Sequence, residues 1–184
     1  MRHLLAIAAL LLGLALGPPA AADQNDPRLE VLFGQLKASA DAREAATFEG
    51  QIWGIWLQTE SPTISLLMRR TLVAMNEGRL AESLEVLDEM VVLAPEFAEA
   101  WNKRATVLYL MQRYEESLAD VGKTLALEPR HFGALRGLGL IHNALGNDAK
   151  ALSAFERALE VHPHIPMAKG EVKRLKKKVR GEKI

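Results

Sequence analysis

Few side chains in this 184-residue sequence are suited to catalysis or metal binding. There is no cysteine, which removes thiolate nucleophiles, thiolate metal sites and disulfides. No stretch reads G-x-S-x-G, S-x-x-K or H-E-x-x-H, and there is no glycine-rich phosphate loop. After the first 22 residues the imidazoles are His131, His142, His162 and His164. His131, His162 and His164 fall at equivalent joints, which could bring them within one helix-pair spacing, but a zinc site wants three converging ligands held by outer hydrogen bonds, and H-P-H with one further histidine is far less specific than paired CxxC or HExxH motifs. Glu82, Glu85, Glu89, Glu115 and Glu116 fall on helical outer faces, where carboxylates are solvated and form no acid-base pair. The expectation is no catalytic residue, no metal site and no cofactor.

The elements that would position these histidines show themselves through the prolines beside them. Pro95, Pro129 and Pro163 are spaced by 34 residues, and alignment on them gives three segments, 64–97, 98–131 and 132–165. Equivalent positions match in size: Leu67, Trp101 and Leu135 at the fourth, Thr71, Ala105 and Gly139 at the eighth, Ser83, Ser117 and Ala151 at the twentieth. Leu87, Val121 and Phe155 stand at the twenty-fourth. Each segment therefore reads as two antiparallel helices, with small residues allowing close approach inside a hairpin and bulky ones filling the space between hairpins. Gly78 and Gly146 suit the turns, and each proline closes a unit by removing a backbone donor. His131 lies at a joint between units and reads as solvated.

With these residues in view the chain resembles the tetratricopeptide repeat family. Its pattern W-x2-L-G-x2-Y, A-x3-F, P is met by Trp101, by Leu138 and Gly139 with Ala151 and Phe155, and by the three prolines. Arg70, Thr71 and His142 depart from it. The resemblance implies an all-α, right-handed solenoid whose first helices line a concave protein-binding groove through positions 2, 5, 9, 12 and 13 of each repeat. On this chain the groove candidates are Met68, Leu72, Met75 and Asn76, then Asn102, Thr106 and Tyr109, then Arg136 and Asn143. Methionine adapts to varied apolar surfaces, asparagine can pair with a ligand backbone, and arginine can hold a carboxylate. Met68, Leu72 and Gly133 stand where the chaperone-binding subclass has the lysines and asparagine of its carboxylate clamp, so that ligand is not expected.

The flanks complete the organisation. Arg2, His3, the apolar run at 4–17 and Ala20 and Ala22 read as a secretory signal, 1–22, cleaved before Asp23. The expected location is a periplasm and the expected partner a protein or peptide of the cell envelope, with no nucleic acid. Residues 23–63 read as a helical hairpin, its second helix capped by Asp41, that covers the first repeat by packing Trp53 and Trp56 onto it. Residues 166–184 carry eight basic and two acidic residues, against 14 basic and 21 acidic in 23–165. They read as a capping helix with Val172, Leu175 and Val179 inward and Lys173, Lys176, Lys177, Lys178 and Arg180 in solvent. That basic face is a second candidate surface, for an acidic partner or an anionic membrane.

Overall fold

The computed structural model describes residues 23–181, so the segment 1–22, expected to be a secretory signal, lies outside the described residues. Among the described residues nine α-helices follow a short 3-10 turn: α1 (Arg28–Ala38), α2 (Ala42–Trp56), α3 (Pro62–Asn76), α4 (Leu80–Leu93), α5 (Ala98–Leu110), α6 (Tyr114–Leu127), α7 (Phe132–Ala144), α8 (Asp148–Val161) and α9 (Pro166–Val179). The pairs α3/α4, α5/α6 and α7/α8 form three successive hairpins, and α9 packs on α8. Among the described residues, no helix is long and apolar enough to cross a membrane.

Helix starts follow local chemistry. Asp41 accepts hydrogen bonds from the backbone N–H groups of Arg43 and Glu44, and Glu44 reaches back to the N–H of Ala40. Ser61 caps α3 ahead of Pro62. The turns inside the hairpins need a left-handed residue, which Gly78 and Gly146 supply at φ 71° and 73°. In the middle hairpin Gln112 takes that conformation at φ 61°.

Inside each hairpin the small positions perform as expected. Ser117 donates its hydroxyl to the carbonyl of Ala105, 2.7 Å away, so α5 and α6 are tied where their side chains are smallest. The bulky position differs from expectation, because Phe155 fills its own hairpin. A Cβ added at Gly139 would lie 2.5 Å from the Phe155 ring, which is fully buried and cannot swing away. Gly139→Ala is therefore expected to destabilise the fold by about 1–3 kcal/mol through overpacking. A thermal melt should show a drop of roughly 3–10 °C.

Arg104 joins the first two repeats. It donates to Asp120 of α6 at 2.7 and 2.8 Å and to Asp88 of α4 at 2.9 Å, with its guanidinium over Trp101. Side-chain hydrogen bonds to Asp120 raise the pKa of Arg104 above its ordinary value.

The N-terminal hairpin corrects the expectation of a cover on the first repeat. Its Leu29, Leu32, Phe33, Leu36, Ile52 and Trp56 share one apolar cluster with Phe132 and Leu135 of α7, Phe155 of α8 and Leu175 of α9. The hairpin lies across the joints between repeats, one joint after another. Gln24 donates to the carbonyl of Glu96, Glu30 pairs with Arg130, and the carbonyl of Ser39 accepts from His164. The returning α2 places Glu49 at His162 and both tryptophans at His131 and Phe132. Only Leu57, just past α2, reaches the cluster of the first repeat. At the other end α9 buries Ala168 and Leu175, whereas Val179, expected inward, is half exposed because it falls in the last residue of the helix.

Candidate functional site

The first helices of the second and third repeats, α5 and α7, run side by side and form the floor of the groove. Its two halves differ. At the N-terminal ends of these helices α2 closes it. Trp56, 2% exposed, stacks on His131 with ring centroids 4.1 Å apart and planes 9° apart. Trp53 meets Phe132 edge-on, and Lys103 sits 5.0 Å from the Trp53 ring. Gly133 is what admits Trp53: a Cβ there would stand 2.8 Å from the indole.

Beneath the tryptophans lies a buried polar cluster. His131 is 0% exposed, which overturns its reading as a solvated joint residue. Its Nδ1 accepts from the backbone N–H of Ala134 and caps α7, so Nε2 carries the proton and donates to Glu99 at 2.9 Å. Glu99 also accepts from Asn102 at 2.9 Å and pairs with Lys103 at 2.6 Å. Burial alone would raise the Glu99 carboxyl, but Lys103 and then His131 outweigh it and hold its pKa below the usual carboxylate range. The sequence does hold a sign of His131's burial: Phe97 and Ile165, its equivalents one repeat away on either side, are also buried.

His162 and His164 act as fasteners of the hairpin. His162 Nδ1 accepts from the N–H of His164, and its Nε2 donates to Glu49 at 3.2 Å. His164 Nε2 donates to the carbonyl of Ser39 at 2.9 Å. Among the described residues no group of three or more His, Cys, Asp or Glu side chains is placed to hold a metal. Desolvation lowers the His162 pKa below its ordinary 6.5, against an opposing effect of Glu49 and with help from His164 and Lys169. Burial and Lys150 lower His142 in the same direction. The unfolded chain then takes up these protons first, so this stability is complete above pH 6.5 and declines as the pH falls below it. Urea titrations between pH 7.5 and 5.5 are expected to show that decline, with a shallower slope for His162→Gln.

The C-terminal half of the groove stays open. A cavity of about 80 Å³ between α5 and α7 is lined by Asn102, Thr106, Tyr109, Arg136, Gly137 and Leu140 among others. Arg136 and Thr106 are exposed there, and Tyr109 is half-buried beside Tyr114. Four of the nine groove candidates thus converge. Asn102 lines the cavity with its side chain mostly buried and its amide N–H donated to Glu99. Met68 needs a correction: it is core of the first repeat, with Leu72 and Met75 packed against the same cluster. Asn76 is exposed at the end of α3, and the side-chain Oδ1 of Asn143 accepts from Arg174 of α9. On α9, Lys176 pairs with Glu156 and Lys178 with Asp148, while Arg180 donates to the carbonyl of Lys176. Lys173 and Lys177 are exposed.

The tetratricopeptide repeat profile matches residues 96–163. A TPR repeat-containing protein of Rhizobium etli is 40% identical over 156 residues, covering 85% of this chain and 76% of that protein. The chain belongs to the tetratricopeptide repeat family. The Hsp70-Hsp90 organizing protein of Triticum aestivum is 32% identical over 90 residues, 49% of this chain but 16% of its own. Among solved structures, the first tetratricopeptide domain of Spaghetti (RPAP3) bound to an HSP90 peptide superposes with a TM-score of 0.63 at 18% identity, covering 66% of this chain and 96% of that one. The Yersinia enterocolitica type III secretion chaperone SycD, in complex with a peptide of the translocator YopD, gives 0.62 at 14% identity, covering 65% and 97%. At those identities the likeness is one of fold. In this tetratricopeptide protein, the N-terminal hairpin and α9 add to three repeats, and the hairpin leaves half of the groove open.

Proposed function

We propose that this tetratricopeptide protein is a non-catalytic adaptor that holds a peptide or helix of a partner in the open half of its concave groove. The observation that carries this is the cavity between α5 and α7, with Arg136 exposed at its rim. An apolar cavity of about 150 Å³ takes a benzene ring, so one of half that size suits an aliphatic group rather than an aromatic one. Arg136 supplies a charge for a neighbouring carboxylate. The solved relatives that hold peptides, RPAP3 and SycD, lend the reading support. In vivo crosslinking with mass spectrometry, comparing wild type with Arg136→Ala/Leu140→Lys, tests it. Loss of specific crosslinks is expected, and identical partner sets would count against the groove.

The place of action we propose is the bacterial periplasm, from the signal-like segment 1–22. N-terminal sequencing of the secreted chain should then begin at Asp23, and retention of the segment would overturn it. A second reading uses α9, whose Lys173 and Lys177 lie exposed on one side at helical spacing. If that face meets an anionic surface, Lys173→Glu/Lys177→Glu should abolish cosedimentation with phosphatidylglycerol vesicles, and unchanged binding would remove it.

A further inference from the structure

Arg104, Leu108, Glu116, Ala119 and Asp120 of the second repeat line a cleft between α5 and α6, bordered by α4. Their equivalents in the third repeat, Leu138, His142, Lys150, Ser153 and Ala154, line a matching cleft of about 340 Å³ between α7 and α8, together with Arg157. The two hollows share a register and differ in charge. The second repeat neutralises its own: Arg104 holds Asp120 and Asp88, and Arg113 holds Glu116. In the third repeat all three acids are gone, with Gly122 in the place of Asp88, Lys150 in that of Glu116 and Ala154 in that of Asp120. Among the described residues no carboxylate lines this cleft. The acids of α8 are elsewhere, since Asp148 pairs with Lys178, Glu156 pairs with Lys176, and Glu160 lies outside the lining.

Lys150, Ser153, Ala154 and Arg157 share one face of α8 by their spacing. The two cations stand roughly 10 Å apart along the helix, near enough for their long side chains to meet over Ser153. Both are exposed, and neither has a partner among the described residues. His142 approaches from α7. Its Nδ1 is buried without a partner among the described residues. A buried N–H with no acceptor is costly, so the proton sits on Nε2, the nitrogen left to donate.

We propose that the α7/α8 cleft binds a phosphate group. Lys150, Arg157 and the Ser153 hydroxyl on α8, with His142 on α7, offer donors from more than one direction. That suits a group with three or four oxygens better than a carboxylate with two. Two unpaired cations match a phosphate charge of about −1.5 to −2 at pH 7. The cleft shares no residue with the open groove, so the adaptor reading does not depend on it.

Titration of the purified full chain with inorganic phosphate at constant ionic strength, followed by NMR, tests the proposal. Saturating shifts are expected at the His142 ring and the Ser153 amide, with a Kd of about 1 mM because both cations face solvent. Leu108 and Ala119, the same positions of the second repeat, should not respond. Lys150→Gln/Arg157→Gln should weaken binding at least about tenfold, with an unchanged thermal melt because both side chains are exposed. Lys173→Gln/Lys177→Gln on α9 should leave it unchanged. A parallel titration with glycerol 3-phosphate separates the sources of the group: tighter binding than phosphate assigns the cleft to a phosphorylated molecule, and otherwise the free ion is the ligand. Shifts that never saturate, or that acetate reproduces, would overturn the proposal. So would binding that is indifferent to the Lys150/Arg157 pair or that follows the α9 pair instead.

Discussion

Trp56→Ala is expected to remove about 3–5 kcal/mol of unfolding free energy, the range for truncating a large buried aromatic side chain. The indole is 2% exposed and lies on His131 on one side, with Phe33, Trp53 and Phe132 around it. Domains hold only about 5–15 kcal/mol in total, so the variant should sit near its unfolding threshold at ordinary temperatures. Denaturant titration measures the loss. Amide exchange should show it concentrated in α1 and α2, which depend on this contact to dock. Trp56→Phe should lose less. It keeps a ring over His131 and deletes an indole N–H that has no acceptor among the described residues.

Glu99→Ala should cost a similar amount, about 3–5 kcal/mol, because it strands Lys103, Asn102 and His131 in a buried site without their common acceptor. Removing both charges is a different experiment. Glu99→Gln/Lys103→Met leaves an acceptor for His131 and an apolar stem under Trp53, and it should be markedly more stable than Glu99→Ala. Acid titration separates the two further. The Glu99 pKa is depressed in the fold, so its contribution is present above the ordinary value of 4.5 and is lost as the pH falls below it. The wild type should lose stability in that window, and the double variant should lose less.

How much of this was legible in the sequence differs from residue to residue. The prolines at 95, 129 and 163, with the small residues at 71, 105 and 139, show the three hairpins because each repeat meets the same neighbours and repeats the same compromise. The docking of the N-terminal hairpin has no such redundancy. Helical spacing tells that Leu29, Leu36, Ile52 and Trp56 share an apolar side, and nothing local tells which distant surface receives it. Two marks were available. Gly133 has no side chain where Trp53 enters, and His131 occupies a register filled elsewhere by Phe97 and Ile165. The groove candidates divide for the same reason: Arg136 and Tyr109 line an open wall, Asn102 lines it with its side chain mostly buried, and Met68 is core of the first repeat.

The hairpin across the joints also changes how this solenoid comes into being. In a plain repeat array each unit touches only its neighbours, so ends fray and folding spreads from any point. Here Gln24 reaches 72 residues along the chain, Glu30 100, Glu49 113 and Ser39 125. These ties oblige distant units to melt together, and such long-range closure slows folding. The helices synthesised first are therefore the last to find their place. Until Phe132, His162 and His164 have emerged, α1 and α2 lack the partners that cover Phe33, Trp53 and Trp56 in the fold.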